Sequence, residues 1–163
     1  MRFKILTFSA LISFSLISPA KNFMEQKNIT LSFAKELTTN VIESCSEAGY
    51  QVAVTVIDAG GNVKTIERMD KAGPHTITAS QMKAFTALTT QSPSLLVMEN
   101  ASKNQGAQNL VNIPGLLLLG GGLPIIIGAD IVGAVGVGGA PGGHLDHECA
   151  SLALNKMMKS VES

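Results

Sequence analysis

The sequence predicts an α+β domain, an antiparallel sheet of about five short strands covered by helices. Three observations carry this. Apolar residues recur every three or four positions between Thr30 and Ala48. β-Branched residues alternate through YQVAVTVID. The stretch from Asn104 to Leu145 has one charged residue, Asp130, and breaks into short apolar runs at its glycines. Connections of hairpin length between the strands imply antiparallel pairing.

The chain opens with Arg2 and Lys4, an apolar run Ile5–Ile17 and the small residues Ser18-Pro19-Ala20. That is the pattern of a secretory signal peptide over residues 1–20, and the apolar run is short for a membrane span. The expected location is periplasmic or secreted. Taking those 20 residues from 163 leaves 143, enough for one domain with its own core. Residues 21–29 read as a polar lead-in, and 30–163 as a single domain without internal repeats.

Within that domain, Leu31, Ala34, Leu37, Val41, Cys45 and Ala48 share one face of a first helix. Thr30 stands at its N-cap position and Gly49 where a left-handed residue ends it. YQVAVTVID and VKTIERM flank the turn residues DAGGN and read as a β-hairpin. DKAGPH breaks the pattern before a second helix, TITASQMKAFTALTTQ, with Ile77, Met82, Phe85 and Thr89 on one side and Thr76 or Thr78 available as cap. A shorter helix follows in SPSLLVMENASK, with Pro93 in its first turn and Ser92 or Ser94 as cap. Leu116–Leu119, Leu123–Ile127 and Ile131–Val135 then read as three strands. DHECASLALNKMMKS reads as the closing helix.

Charge narrows the function. The leader removes two basic residues and no acidic one, leaving 10 basic against 12 acidic, a net of about −2. That is no basic footprint for nucleic acid, and with 4% aromatics and no Trp there is little surface on which bases would stack. The two cysteines, Cys45 and Cys149, either pair in an oxidising compartment or remain buried thiols.

Three clusters carry chemistry. GVGGAPGG precedes a helix but lacks the Gly-Lys-Ser/Thr ending of a phosphate loop, so its glycines read as a tight bend. His144, Asp146, His147 and Glu148 follow it and offer imidazole and carboxylate groups to an exposed zinc or iron ion. Two of these are also acids expected near a helix start. RMDKAGPHT places Arg68, Asp70 and His75 in the break before a helix. His75 can ligate a haem iron or carry a proton, and Arg68 can pair with a ligand carboxylate or with Asp70. Lys83, eight residues after His75, reads as a surface lysine.

VAVTVIDAGGNV (52–63), ERMDKAGPHTI (67–77), KAFTAL (83–88), IPGLLLLGGGLPI (113–125) and IVGAVGVGGAPGGHLDHECA (131–150) together resemble the GlcG/HbpS family of haem-binding-like domains, also the C-terminal domain of PduO-type proteins. The resemblance implies a profilin-like or PAS-like α/β/α sandwich with a five-stranded antiparallel sheet, assembled with itself as a dimer or octamer. It implies haem or another tetrapyrrole as ligand, with haem or iron sensing or storage as roles and a membrane sensor as a partner in exported members. Some members use a His of the first helix, and this chain has none between Thr30 and Ala48. The resemblance therefore leaves His75 as axial candidate, with Arg68 and Lys83 toward the propionates and Met69 and Thr76 beside them. The exposed quartet at residues 144–148 is its second iron site. Two other readings stay open: a protein acting on a small organic acid through Arg68 and His75, and a module whose only activity is self-assembly.

Overall fold

The computed structural model describes Asn22 and residues 25–161, so the predicted leader over residues 1–20 lies outside the described residues. In chain order the elements are α1 (Leu31–Glu47), β1 (Ala53–Asp58), β2 (Val63–Arg68), α2 (Thr76–Thr90), α3 (Ser94–Lys103), a 3-10 helix Gln108–Asn112, β3 (Gly122–Ile127), β4 (Asp130–Gly138) and α4 (Gly143–Val161). The sheet runs β2-β1-β4-β3 and is antiparallel throughout. Helices α1 and α4 cover one face, and α2 covers the other.

The first helix forms as its sequence predicts. Thr30 Oγ1 accepts a hydrogen bond from the Phe33 amide at 3.2 Å, and Gly49 takes the left-handed conformation (φ 84°) just past the C-cap. Its apolar stripe, Ala34, Leu37, Val41 and Cys45, is fully buried against Val52, Val54 and Val56. Ile29 belongs to this core as well. Its amide donates to the Val132 carbonyl, so the ordered domain includes the end of the lead-in.

The expected five strands are four among the described residues. Leu116–Leu119 is not a strand, because side chains satisfy its backbone. Thr86 Oγ1 accepts from the Leu117 amide at 2.8 Å, and Ser94 Oγ donates to the Leu119 carbonyl at 2.7 Å. Ser94 is thereby committed to the sheet edge, where it also accepts from the Gly122 amide, and α3 starts after Pro93 without a side-chain cap. Likewise α2 starts after His75 with no side-chain cap, since Thr76 Oγ1 donates to the Gly73 carbonyl.

Cys45 and Cys149 form a disulfide across 104 residues, with Cα atoms 5.0 Å apart, joining α1 to α4 inside the larger core. The open alternative at these positions is resolved as the bridge. Ser44 Oγ donates to the Cys149 carbonyl beside it.

The hairpin turn is held by Asp58. Its Oδ1 accepts from the amides of Gly60 and Asn62, both at 2.9 Å. Burial pushes the carboxyl up, but these amides, the Asn62 side chain and the Lys64 charge outweigh it, and the pKa lies below the ordinary 3.8. A depressed carboxyl contributes stability above the unfolded value and loses it as pH falls through the folded one. Wild type is therefore expected to lose stability in acid below about pH 4 more steeply than Asp58→Asn, read as denaturation midpoints across that range. Equal slopes would show that Asp58 does not carry this linkage.

Candidate functional site

The smaller core explains the site. Helix α2 lies on the sheet almost backbone to backbone. A Cβ on Gly136 would stand 2.0 Å from the Ser80 carbonyl oxygen, and one on Gly122 would stand 2.0 Å from that of Lys83. No bulky apolar side chain is buried between them: the buried positions of α2 are Thr76, Ser80, Ala84, Thr86 and Ala87, with Lys83 the one long side chain among them. Thr55 and Ser80 share a hydrogen bond of 2.7 Å there. Ile77 and Phe85 are turned outward, 37% and 38% exposed, while Leu88 packs partly buried against the core. The helix is inverted relative to the usual amphipathic arrangement.

Lys83 corrects its sequence reading. It is 1% exposed and not a surface lysine. Its Nζ donates to Asp146 Oδ2 at 2.7 Å and to the Val137 carbonyl at 2.9 Å, tying α2 to α4 and the end of β4. Asp146 Oδ1 accepts from the Ala140 amide at 2.9 Å. The glycines make room for this pair, for a Cβ on Gly121 (φ 120°) would meet the Val137 carbonyl oxygen at 2.5 Å and Lys83 Nζ at 3.2 Å. Burial pushes the Asp146 carboxyl up. The Lys83 ammonium and the amides of Ala140 and Gly139 draw it back, and the balance stays above the ordinary value.

The exposed metal quartet does not form. Asp146 is buried and engaged, and no group of three or more His, Cys, Asp or Glu gathers for a metal among the described residues. His144 and Glu148 face solvent. His147 is half-buried, and its Nδ1 is buried without a hydrogen-bond partner. Burial holds the imidazole below its usual 6.5, against the pull of the Glu99 charge. A depressed histidine contributes stability above the unfolded value and loses it as pH falls toward the folded one. The melting temperature should thus drop on acidification below about pH 6.5, and less so in His147→Gln. Parallel curves for the two proteins would exclude His147 as the source.

The loop at 68–76 is ordered by its own polar groups. Arg68 Nη1 donates to the Ala72 carbonyl, and Met69 Sδ accepts from the Val52 amide at 3.3 Å. Arg68 and Met69 line a hollow of about 420 Å³ with Glu67, Asp70 and Lys71, so its rim is charged. Thr76 is buried. His75 is exposed at the start of α2 and lines none of the described cavities. Arg68 and Met69 thus share one hollow, which His75, Thr76 and Lys83 do not line.

A groove of about 520 Å³ opens beside the outward face of α2. Ile57, Gly61, Gln81, Met82, Phe85, Pro114 and Gly115 line it. Sequence reasoning placed Ile77, Met82, Phe85 and Thr89 on one side of the helix without saying whether that side packs or faces out. The signal for the outward orientation was the row of small and hydroxyl residues, Ser80, Ala84 and Ala87, beside the glycine-rich strand. A smaller hollow of about 370 Å³ at the start of α1 is lined by Ile29, Phe33, Ile127 and Val132, with Lys27 at its edge.

The HbpS-like family, described as "Haem degrading protein HbpS-like", matches residues 29–155. The chain belongs to this family. A 15.0 kDa protein of the dhaT-dhaS intergenic region of Citrobacter freundii is 32% identical over 113 residues, 68% of this chain and 80% of the relative. Protein GlcG of Escherichia coli K12 is 34% identical over 58% of this chain and 69% of its own length. Streptomyces reticuli HbpS, crystallised as a double mutant, superposes with a TM-score of 0.79 at 29% identity, covering 90% of this chain and 98% of its own. The structure of a PduOC:heme complex matches at a TM-score of 0.70 and 20% identity over 78% of this chain and 94% of its own, a likeness of fold. No helix among the described residues is long and apolar enough to cross a membrane.

Proposed function

We propose that this chain is an exported tetrapyrrole-binding protein of the HbpS-like family, with haem as its ligand and storage or sensing of haem as its role. The observation that carries the reading is the outward apolar face of α2, Ile77 and Phe85 beside Met82, in a chain of a family described by haem. A helix that spends its small residues on the sheet and its large ones on the surface leaves apolar area for a ligand or another subunit. Self-association as a dimer or octamer belongs to the same proposal. Export rests on the leader pattern, and the buried disulfide supports it, since such bonds form in oxidising compartments.

The residues around His75 do not fit an enclosed haem. The imidazole is exposed and lines no cavity, Arg68 is held by the Ala72 carbonyl, and Lys83 is sealed against Asp146. An iron ligated there would sit on open surface, with Lys83 unable to reach its propionates.

The test is a titration of the purified chain, leader removed, with ferric haem, followed in the Soret band. A saturable red shift with a dissociation constant of about 10 µM or tighter is expected, in the range of specific small-ligand binding. A spectrum equal to free haem plus protein at every ratio would overturn the reading.

A further inference from the structure

We infer that the tetrapyrrole seat is the groove between α2, the β1–β2 turn and the loop before β3, with Met82 facing the iron and Phe85 against the ring, and that His75 is not the iron ligand. The inference rests on the haem reading above and adds the site to it.

Charge and shape select this groove among the hollows of the chain. No ionisable side chain lines it, and its polar groups are the Gln81 amide and the peptides of Gly61 and Gly115. Such a wall accepts the neutral, flat face of a macrocycle and leaves the charged edge at the open rim. Phe85 supplies the stacking surface. Cβ atoms built on Gly61 and Gly115 would lie 3.6 and 3.4 Å from its ring carbons, so two left-handed turns (φ 81° and 89°) hold the ring from either flank. The ring remains 38% exposed.

Iron chemistry points to the same place. Met82 brings a thioether, an established axial ligand of haem iron and a good neighbour of aromatic rings. The hollow at the start of α1 has no His, Met or Cys in its lining. The hollow at Arg68 has Met69, but that sulfur already accepts from the Val52 amide, and Glu67 and Asp70 set carboxylates where the propionates would come. Ile77 extends the apolar stripe of α2 one turn beyond Gln81, in the i, i+4, i+8 row Ile77, Gln81, Phe85.

Titration of wild type, Met82→Leu, Phe85→Ala and His75→Ala with ferric haem and with metal-free protoporphyrin IX separates the claims. Met82→Leu keeps the volume of the side chain and removes the ligand, so it should weaken haem about tenfold or more, shift the Soret maximum, and leave protoporphyrin affinity unchanged. Phe85→Ala should weaken both ligands about tenfold. His75→Ala should match wild type with both. Circular dichroism melts equal to wild type show that the variants fold. Loss of the haem spectrum in His75→Ala, with Met82→Leu intact, would overturn the site and keep the function. A Met82→Leu spectrum identical to wild type would overturn the ligand assignment. Absence of binding to both compounds by wild type would overturn site and function together.

Discussion

Replacing Lys83 with methionine is expected to destabilise the chain by about 3–5 kcal/mol, because it leaves the Asp146 carboxylate buried and uncompensated. The pair joins three elements: Nζ holds both the Asp146 carboxylate and the Val137 carbonyl. Burial already raises the Asp146 pKa, and without the cation it has more reason to take a proton. The deficit of Lys83→Met should therefore shrink as pH is lowered from about 7 toward 5, since a raised carboxyl stabilises the fold in its protonated form. The double variant Lys83→Met/Asp146→Leu should recover much of the loss, as apolar substitutes for buried ion pairs often do. Denaturant unfolding followed by circular dichroism measures all three. A single-variant loss under about 1 kcal/mol would mean that the pair is solvated.

The second large effect belongs to the disulfide. A cross-link closing a loop of 104 residues constrains the unfolded chain by about 4–5 kcal/mol in the chain-entropy account. Cys45→Ala/Cys149→Ala should thus melt about 10 °C or more below the oxidised wild type. Both sulfurs lie in the core, 0% and 2% exposed, so reductant added to the folded protein should act slowly and only through unfolding. Melting temperatures of the double variant and wild type within about 2 °C of each other would show that packing of α1 on α4, and not the bridge, supplies the stability.

How much of this was legible depended on what each segment leans on. The first helix and the 53–68 hairpin followed their periodicity because each packs a regular apolar face, Leu37 and Val41 on one and Val54 and Val56 on the other. Leu116–Leu119 misled because four leucines between glycines look like a strand. Their backbone partners are Thr86 and Ser94, and nothing local announces a hydroxyl that comes from 25 to 31 residues away. The orientation of α2 was hidden for a related reason. Lys83 looks solvent-facing, and which side of the helix packs stays open, until the close approach of Gly122 and Gly136 to the helix backbone is known. Asp146 passed for a helix-start acid, and its partner sits 63 residues earlier. The candidate site inherited these errors. His75 stood out by its chemistry alone, while Met82 was only one of four residues on one side of a helix.

The outward face of α2 as the ligand surface is the claim on which the functional account turns. Methyl NMR of the chain labelled with 13C at its methionine methyls tests it in one experiment. Ferric haem is paramagnetic and broadens the signals nearest to it. The account predicts that the Met82 methyl is lost first, while those of Met69, beside the Arg68 hollow, and Met157, in the opposite core, persist. Loss of Met69 with Met82 unchanged would place the haem at the 68–76 loop and contradict it.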